Sequence, residues 1–484
     1  MRKALLIMLI ICTWLSAAEI RDGSLYLEVN LHTASSMDLP EGEYSFCDAS
    51  GLFCQDLQGK LSISILKDSH ESRFGIVERI EETELSECED AQNKVYFDWE
   101  GAYLVIKQEN RYFFPQSFGT IEQAKAYALA LGLPERRIEE IPIVNSSIVI
   151  TDAAGEARYF ESPVKIAADQ LWIGDLCYEG EFILKEVDHQ LVINQILPLE
   201  EYIAGVIPNE IGNNSPMQAL KAQAVAARTH AVNLLLYNRH AKDGYDLCNS
   251  THCQVYKGKH LRNSAIAEAV SETAAEIMVT GDRVVDSTYH SSCGGKTDSS
   301  QAIWNGAYLP QLSGSLCIPE ASKYDLSTEA GAANWINTQV DTENMSSWER
   351  SALNWQCSID RKELAQNLGL SSITSIRIVK RGESGRILEL LINDTHRLQG
   401  EYKIRQAFNM LPSSFFYFAN NPGKTLVHPG KRITIKGRGS GHGVGMCQVG
   451  ALRKARAGSD YREILQTYYP QTKITTVWIH HENP

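Results

Sequence analysis

Two neighbouring stretches decide how this chain folds: residues 201–211 read EYIAGVIPNEI, and residues 219–230 read ALKAQAVAARTH. A first helix is expected to begin between Pro198 and Glu201 and to end before Pro208. Residues 215–218, Ser-Pro-Met-Gln, then predict a capping-box start with Ser at the N-cap and Pro at the first helical position. Apolar residues recur at helical spacing beyond it, and the many alanines predict a second helix packed closely against its neighbours.

Strands and further helices are predicted on both sides of this helical pair, which indicates an α+β fold. Strands are expected at 147–151, 182–187, 191–196, 373–379 and 387–392, with hairpin turns at Asp188-His189-Gln190 and at a Gly-Glu-Ser-Gly turn. Residues 306–370 have little periodicity, and we interpret them as a long loop or insertion with a helix near Arg361–Leu368. A glycine-rich segment at 436–450 precedes a helix at Ala451–Ala457.

Residues 19–145 are interpreted as a separate accessory module. Short strands are predicted at Leu25–Leu31, Leu61–Leu66, Val95–Trp99, Ala102–Lys107 and Arg111–Phe114, and an alanine-rich helix at Thr120–Leu131. This combination is similar to a peptidoglycan-binding SPOR-like unit, although a plain accessory domain is the favoured interpretation.

The first 18 residues indicate export. A basic start at Met1-Arg2-Lys3 is followed by an apolar run from Ala4 to Leu15 and by small residues at 16–18, the pattern of a secretory signal peptide. An uncleaved N-terminal anchor is the alternative. No later segment is long and apolar enough to cross a membrane, so we expect an exported protein of the periplasm or cell envelope without an integral membrane span in the mature chain.

The charge and the cysteine content limit the classes of function that this chain can have. The net charge of −13 over 484 residues argues against nucleic acid as the main partner, because phosphate binding needs a basic surface. A carbohydrate polymer is not excluded. The chain has eleven cysteines, and an exported protein can form disulfides. Cys47 and Cys54 are close enough in sequence to be partners.

Two more motifs accompany the opening stretches, in order along the chain. Residues 289–297 read YHSSCGGKT, and residues 437–451 read GRGSGHGVGMCQVGA, with a weaker match at 404–413. Together the motifs resemble the stage II sporulation protein D (SpoIID/LytB) family over residues 195–470. The resemblance implies a catalytic region at 146–484 with a central cleft, with core motifs at 195–300 and 370–475.

Enzymes of that family are lytic transglycosylases, which cleave peptidoglycan glycan strands lacking stem peptides. The resemblance maps their acid/base residue onto Glu210. One carboxylic acid would protonate the glycosidic oxygen and then take a proton from the C6 hydroxyl of the sugar, giving a 1,6-anhydroMurNAc product. No cofactor and no second carboxylate are required, unlike in ordinary glycosidases. Apolar neighbours (Val206, Ile207, Pro208, Ile211) are expected to raise the pKa of Glu210 by desolvation.

Six other residues are expected to contact substrate, namely Arg228, Tyr289, Ser291, Arg438, His442 and Gln448. Arg438 would meet a lactyl carboxylate, whereas His442 and Gln448 would bind sugar hydroxyls. A helix-surface salt bridge is the alternative for Arg228, and a structural glycine turn is the alternative around His442. The glycine-rich segment lacks the Gly-Lys-Ser/Thr ending of a phosphate loop, so it is not interpreted as a phosphate-binding loop.

Ser440 and Cys447 depart from the family pattern. An aromatic residue is common at the first of these positions, and Ser is common at the second.

Some members of the family hold a structural zinc through His and Cys ligands. The candidate ligands here are Cys248, His252, Cys253, His290 and Cys293. Disulfides such as Cys248–Cys253 or Cys253–Cys293 are the alternative, and His290 could line the cleft instead.

Two other classes of function are kept open. Some relatives are described as amidase enhancers, so the chain could bind glycan strands without cleaving them and recruit a cell-wall amidase. A zinc hydrolase would need an open metal position, and the thiolate-rich ligand set favours a structural role instead. The family context implies cell-wall remodelling in division or sporulation.

Overall fold

The computed structural model describes residues 19–21, 24–48, 54–65, 73–78, 94–97, 103–108, 111–118, 120–130, 138–141, 147–258 and 263–477. The expected signal peptide lies outside the described residues. These residues form two compact units: an N-terminal unit of 19–205 and 237–258, and a C-terminal unit of 206–236 and 263–477. Among the described residues, we find no helix with the length and apolar character needed to cross a membrane.

The N-terminal unit is built mainly from strands. Its elements are β1 (Glu19–Arg21), β2 (Ser24–Ala34), β3 (Ser36–Cys47), β4 (Cys54–Ile65), β5 (Arg73–Glu78), β6 (Lys94–Phe97), β7 (Tyr103–Gln108), β8 (Arg111–Phe118), α1 (Ile121–Ala130), β9 (Ile138–Ile141), β10 (Ser147–Thr151), β11 (Ala157–Glu161), β12 (Val164–Ala167), β13 (Leu171–Ile173), β14 (Leu176–Tyr178), β15 (Glu181–Val187), β16 (Gln190–Pro198) and β17 (Leu247–Cys248). All but β13 and β14 belong to one sheet, and helix α2 (Leu199–Glu210) follows β16.

The strands confirm several local predictions, and they place one predicted domain boundary inside a sheet. The β15–β16 hairpin turns at Asp188 and His189, both with positive φ. Cys47 and Cys54 form the expected disulfide. Strand β10 pairs with β4 and β11, so the boundary expected near residue 146 falls inside a sheet and does not separate the two compact units. The accessory role of residues 19–145 stays a prediction.

The C-terminal unit mixes helices with four small sheets. Its elements are α3 (Met217–Leu236), α4 (Ser264–Glu272), β18 (Glu276–Thr280), β19 (Arg283–Val284), β20 (Tyr289–His290), α5 (Ser300–Trp304), α6 (Glu329–Asn337), α7 (Ser347–Leu353), β21 (Asn354–Asp360), α8 (Arg361–Asn367), β22 (Ile376–Arg381), β23 (Ile387–Ile392), β24 (His396–Gln399), α9 (Glu401–Ala407), β25 (Phe416–Phe418), β26 (Leu426–Val427), β27 (Arg432–Arg438), β28 (Met446–Cys447), α10 (Gln448–Arg456), α11 (Tyr461–Tyr468) and β29 (Lys473–Thr476). The α+β class is confirmed.

Helix α3 is the centre of this unit. It packs against α4, β18, α10 and α11, and its alanines are buried as the sequence predicts. An alanine surface lets neighbouring backbones approach closely, since there is little side chain to separate them. The predicted capping box is wrong, however. The Gln218 side chain accepts a hydrogen bond from the Tyr461 N–H, and the Ser215 hydroxyl donates to the Ile211 carbonyl.

Helix α2 also differs from its prediction, because it continues through Pro208 to Glu210. A proline inside a helix removes one backbone hydrogen bond but does not always end the helix. The buried side chains of Val206, Ile207 and Ile211 hold this last turn in place. Glu210 is therefore the final residue of a helix and not a loop residue.

The region interpreted as an insertion contains more structure than its composition predicts. Residues 306–370 include α6, α7 and β21 besides the expected helix α8. Trp335 of α6 is fully buried, and its indole N–H donates to the Gly294 carbonyl at 2.7 Å. The prediction of a long loop is thus wrong, because buried residues of these helices, such as Ala332 and Leu353, belong to the same hydrophobic cluster as α3.

A buried ion pair ties α6 to the β22–β23 hairpin. Arg381 Nε and Nη2 lie 2.7 and 2.5 Å from the two carboxylate oxygens of Glu329. The side chains are only 1% and 8% exposed. An unpaired charge at this position would have no access to water, so each partner depends on the other.

We predict that Glu329→Ala lowers the free energy of unfolding by about 3–5 kcal/mol, because Arg381 would remain charged and buried without its partner. The matched control is Glu383→Ala, which breaks the Lys296–Glu383 pair, where the carboxylate side chain is 83% exposed. Its effect should stay below about 1 kcal/mol. Urea unfolding of both variants checks this, and equal losses would contradict it.

Candidate functional site

Glu210 lies where a helix end meets two other segments of the C-terminal unit. It is half-buried at the end of α2, next to the buried side chains of Val206 and Ile207 one turn earlier. The Ile211 N–H still bonds to the Ile207 carbonyl at 3.1 Å, so the last turn is well formed. A carboxyl group in this setting is partly shielded from solvent on the apolar side.

Gln448 brings these segments together. Its side-chain nitrogen lies 3.4 Å from Glu210 Oε2 and 3.3 Å from Gln223 Oε1. Gln448 is the first residue of α10 and is 2% exposed, while Gln223 is a fully buried residue of α3. The amide group has two N–H donors, and each is directed at one of these oxygens. Gln448 therefore orients the Glu210 carboxyl group, which differs from the expected contact with sugar hydroxyls.

Gln223 was missed from the sequence. It lies in the alanine-rich stretch that predicts α3, where a single amide has no obvious partner. One feature of the sequence could have identified Gln223. It is a polar residue on a helix expected to be buried on most sides, and a buried amide needs hydrogen-bond partners. Its Nε2 atom is buried without a hydrogen-bond partner among the described residues.

The glycine-rich segment forms a tight loop between β27 and β28. The loop is paired to the YHSSCGGKT motif by hydrogen bonds between Ser292 and Ser440 in both directions, at 2.9 and 2.8 Å. Gly443 and Gly445 have positive φ, and a Cβ atom at either would collide, with Arg386 and with the Thr288 carbonyl oxygen respectively. Glycine is therefore required at both positions.

His442 is held inside this loop by backbone groups. Its Nε2 lies 3.0 Å from the Tyr289 carbonyl oxygen, and its Nδ1 accepts the Val444 N–H at 3.2 Å. Because Nε2 faces an acceptor and Nδ1 faces a donor, His442 is the neutral tautomer with its proton on Nε2. Burial lowers the pKa of His442 to about 4. Both nitrogens are engaged, so the structure places His442 as a support of the loop and not as a ligand of sugar hydroxyls.

His290 is a second neutral histidine beside it. Its ring centroid lies 5.3 Å from that of His442, and its Nδ1 lies 3.0 Å from the Val444 carbonyl oxygen. Burial, followed by unfavourable electrostatic interactions of a protonated ring with His442 and Arg386, lowers the pKa of His290 well below its usual value. His290 is 4% exposed and lies outside both clusters of His and Cys ligand atoms that the described residues contain.

Arg386 stabilises the same loop, and it was not predicted from the sequence as a residue of the site. It is fully buried, and its two terminal nitrogens donate to the Cys293 and Gly441 carbonyl oxygens at 3.1 and 3.3 Å. The sequence places it directly after the predicted hairpin turn, where an arginine is usually exposed.

Two predicted substrate contacts are corrected by burial. Arg228 is fully buried on α3 and donates to the Glu276 carbonyl at 3.2 Å. Arg438 is 1% exposed, lies 4.3 Å over the ring of Trp335 and donates to Asn354 Oδ1 at 2.8 Å. Both guanidinium groups are therefore parts of the core, where a lactyl carboxylate would not reach them.

Three residues remain closer to solvent. Tyr289 is half-buried, with its ring edge-to-face with His230 at 6.3 Å. Ser291 is half-buried, and its carbonyl accepts the Val449 N–H at 2.9 Å, next to Gln448. Trp304 is 47% exposed, and its ring centroid lies 5.3 Å from that of His442. The sequence did not single out Trp304, because it lies at the end of a short helix with no motif around it.

The five predicted metal ligands do not form one group. Cys248, His252 and Cys253 lie together with His240 in the N-terminal unit, whereas Cys293 lies with Cys317 and Cys447 in the C-terminal unit. The two groups contain five cysteines, and none of them forms a disulfide: Cys248, Cys253, Cys293, Cys317 and Cys447. His240 was missed because it lies eight positions before Cys248, outside the cysteine motif.

The N-terminal group has the donor chemistry of a structural zinc site. Its four ligand atoms lie within 4.8 Å of one another, with Sγ–N distances of 3.3 Å for Cys253–His240 and 3.7 Å for Cys248–His252. Tetrahedral zinc with Cys and His ligands has edges of about 3.5–3.8 Å. Asp243 Oδ2 lies 2.6 Å from Nδ1 of His240, which leaves Nε2 directed at the group.

The pKa shifts of the two cysteines in this group agree with a role as zinc ligands. The hydrogen bond with Cys253 lowers the pKa of Cys248 to about 3, and the same hydrogen bond raises the pKa of Cys253. These opposite shifts favour one thiolate and one thiol in this pair. Thiolates and neutral imidazoles are the ligands that zinc prefers.

Comparison with known families agrees with the motifs. A family model named SpoIID and described as "Stage II sporulation protein" matches residues 187–279. A second model, described as a domain of unknown function (DUF8618), matches residues 298–445. The first match contains Glu210 and Gln223, and the second contains Arg386 and most of the glycine-rich loop.

Three relatives extend this result. An uncharacterised protein of Brachyspira hyodysenteriae is 31% identical over 311 residues, which is 64% of this chain and 76% of that protein. Stage II sporulation protein D of Bacillus subtilis is 27% identical over 58% of this chain and 75% of that protein. The amidase enhancer of Bacillus subtilis is 29% identical over 57% of this chain, which spans only 40% of that relative. The chain belongs to the stage II sporulation protein D family.

We predict that stability falls as the pH drops from about 6.5 to about 4, because His442 stays neutral in the folded state while the unfolded chain takes up a proton. His442→Gln removes one such group, so its unfolding free energy should fall less steeply than that of the wild type. Urea midpoints measured across this range check the slope. His428→Gln, at an exposed histidine, is the control and should follow the wild type; a parallel decline in His442→Gln would contradict the prediction.

Proposed function

We propose that this protein is a lytic transglycosylase that cleaves MurNAc–GlcNAc glycan strands lacking stem peptides. The observation that carries the proposal is the half-buried Glu210 carboxyl group, oriented by the Gln448 amide, within the region that matches the SpoIID family. A lytic transglycosylase needs one carboxyl group that can both give and take a proton. Glu210 has the position and the support for that role.

In the proposed reaction, the Glu210 carboxylic acid donates its proton to the glycosidic oxygen, and the bond from this oxygen to the anomeric carbon of MurNAc breaks. The C6 hydroxyl oxygen of the same MurNAc then bonds to the anomeric carbon. Glu210 accepts the proton that this hydroxyl loses. The products are a free GlcNAc hydroxyl end and a 1,6-anhydroMurNAc end, and water does not take part.

Gln448 and Gln223 act in this scheme as positioning residues. The Gln448 N–H bonds to Oε2 of Glu210 and so holds the carboxyl group in one orientation. Gln223 fixes the other N–H of Gln448 and so limits rotation of the amide. Orientation of this kind lowers the entropic cost of reaching the reactive geometry.

Trp304 is proposed to pack against a sugar ring. Its indole is half-exposed and already rests against the His442 ring. The exposed face of an indole offers an apolar surface with an N–H at its edge, which suits the C–H face of a sugar. The chain has Ser440 at the position where the family resemblance implies an aromatic residue, and Trp304 would supply such a ring from another segment.

The second candidate function is glycan binding without cleavage, coupled to a cell-wall amidase. It is favoured by one observation, the similarity to a protein named amidase enhancer. In that case the chain would bind the glycan around Glu210 and recruit the partner enzyme. In either case we propose that the protein is exported and acts in the cell envelope during division, sporulation or wall turnover.

The same proposal includes a structural zinc ion, held by His240, Cys248, His252 and Cys253. When bound, it would cross-link the segment 240–253 and contribute folding free energy to the N-terminal unit. The four ligands fill a tetrahedral shell, so no position is open for a reacting water, and this argues against a zinc hydrolase. Glycan cleavage itself needs no cofactor.

We predict that Glu210→Gln reduces the release of 1,6-anhydroMurNAc ends from denuded glycan by about 10²–10⁴-fold, because the amide can neither give nor take the proton. Mass spectrometry of the digested strands measures the product. Glu320→Gln, at an exposed acidic residue of the same unit, is the control and should keep full activity. Undiminished anhydro product from Glu210→Gln would overturn the mechanism, and strands bound but unchanged by the wild type would favour the binding function.

The zinc ion is tested separately. We predict that Cys248→Ser lowers the zinc content of the purified chain by one equivalent and lowers the unfolding temperature of the N-terminal unit, because one thiolate ligand is lost. Elemental analysis and calorimetry measure the two effects. Cys177→Ser removes a free thiol of the same unit outside the group and should change neither. Equal zinc in Cys248→Ser and in the wild type would contradict the assignment.

A further inference from the structure

Three cysteines from distant parts of the sequence meet inside the C-terminal unit. Cys293 follows β20, Cys317 lies in the region between α5 and α6, and Cys447 is the N-cap residue of α10. Their sulfur atoms all lie within 4.8 Å of one another. Cys293 and Cys447 are each 1% exposed, and Cys317 is half-buried.

Each sulfur has a hydrogen-bond partner in the surrounding protein, and two of the three accept backbone N–H groups. Cys447 Sγ accepts the N–H groups of Cys293 at 3.2 Å and Gly450 at 3.3 Å. Cys293 Sγ accepts the Gly295 N–H at 3.3 Å, and Cys317 Sγ lies 3.1 Å from the Tyr468 hydroxyl. Donors aimed at sulfur stabilise negative charge there, which an apolar core would otherwise oppose.

A glycine on α10 leaves space for these sulfurs. A Cβ atom at Gly450 would collide with both Cys317 Sγ and the Tyr468 hydroxyl, so α10 approaches the group closely only because this residue is glycine. The N-terminus of α10, which carries partial positive charge, is capped by the Cys447 sulfur. The backbone of three segments is thus shaped around the thiol group.

We propose that Cys293, Cys317 and Cys447 form a binding site for a thiophilic metal ion, with zinc as the ion to be tested. Three sulfurs that lie within 4.8 Å of one another offer the donor atoms that soft and borderline metals select. Zinc takes four ligands, so a solvent molecule would complete the shell beside the three sulfurs. Binding displaces the thiol protons to solvent, and no redox change occurs.

A disulfide is the competing arrangement, and the structure favours the metal site over it. One disulfide would use two of the three sulfurs and leave the third buried with donors that serve a thiolate. A metal ion uses all three at once. It would also cross-link the YHSSCGGKT motif, the segment around Cys317 and the start of α10, where Gln448 begins its contact with Glu210.

The test is the zinc content of the full-length chain, measured by elemental analysis after dialysis against a small excess of Zn²⁺ and gel filtration. Cys447→Ser is the first variant, because serine can still cap α10 by accepting the Gly450 N–H, so the fold is retained. We expect it to bind one zinc equivalent less than the wild type. Cys357→Ser, at a free cysteine of β21 outside the group, should bind as much zinc as the wild type.

A second variant and a second measurement keep the outcomes distinct. Cys317→Ser should lose the same equivalent, and Cys248→Ser, in the other unit, should lose a different one, so that the double variant Cys248→Ser/Cys447→Ser loses two. Alkylation of the denatured wild type followed by intact mass reports the oxidation state of the three thiols. Equal zinc in wild type and Cys447→Ser would overturn the site, as would a wild type in which two of the three cysteines resist alkylation as a disulfide. Activity of Glu210 plays no part in either readout.

Discussion

The two hydrogen bonds from the Gln448 amide are the interaction on which the rest of the site depends. They join Glu210 at the end of α2, Gln223 on α3 and the first residue of α10. A carboxyl group at a helix end can adopt many orientations in water. Only a partner that is itself fixed can select one of them. The C-terminal unit can be understood as the structure that fixes Gln448.

Gln448 is fixed from several directions. The alanines of α3 let α10 lie close enough for Gln223 to reach it. The glycine-rich loop that leads into α10 is held by the neutral His442 and by the buried guanidinium of Arg386. Both side chains bond to backbone carbonyl oxygens, so the loop has few alternative arrangements. Rigid support of this kind is what an acid/base group requires to act repeatedly at one position.

Much of the fold and part of the site could be predicted from the sequence. Periodicity located α3 and the β15–β16 hairpin, and the motif order located Glu210 within the family. The sequence could not indicate that α2 continues through Pro208, because buried neighbours decide whether a helix tolerates proline. It could not reveal that Arg438 is stacked on Trp335 or that the cysteines divide into two groups, since both depend on contacts between residues far apart in the chain.

The most direct test of this account is the steady-state kinetics of Gln448→Ala on denuded glycan strands. If Gln448 positions Glu210, kcat should fall by about 10-fold or more while KM stays close to the wild-type value, because orientation matters in the transition state and not in substrate binding. Gln301→Ala, at an exposed glutamine of the same unit, should leave both constants unchanged. A raised KM with an unchanged kcat would contradict the account, since it would make Gln448 a ligand of the sugar.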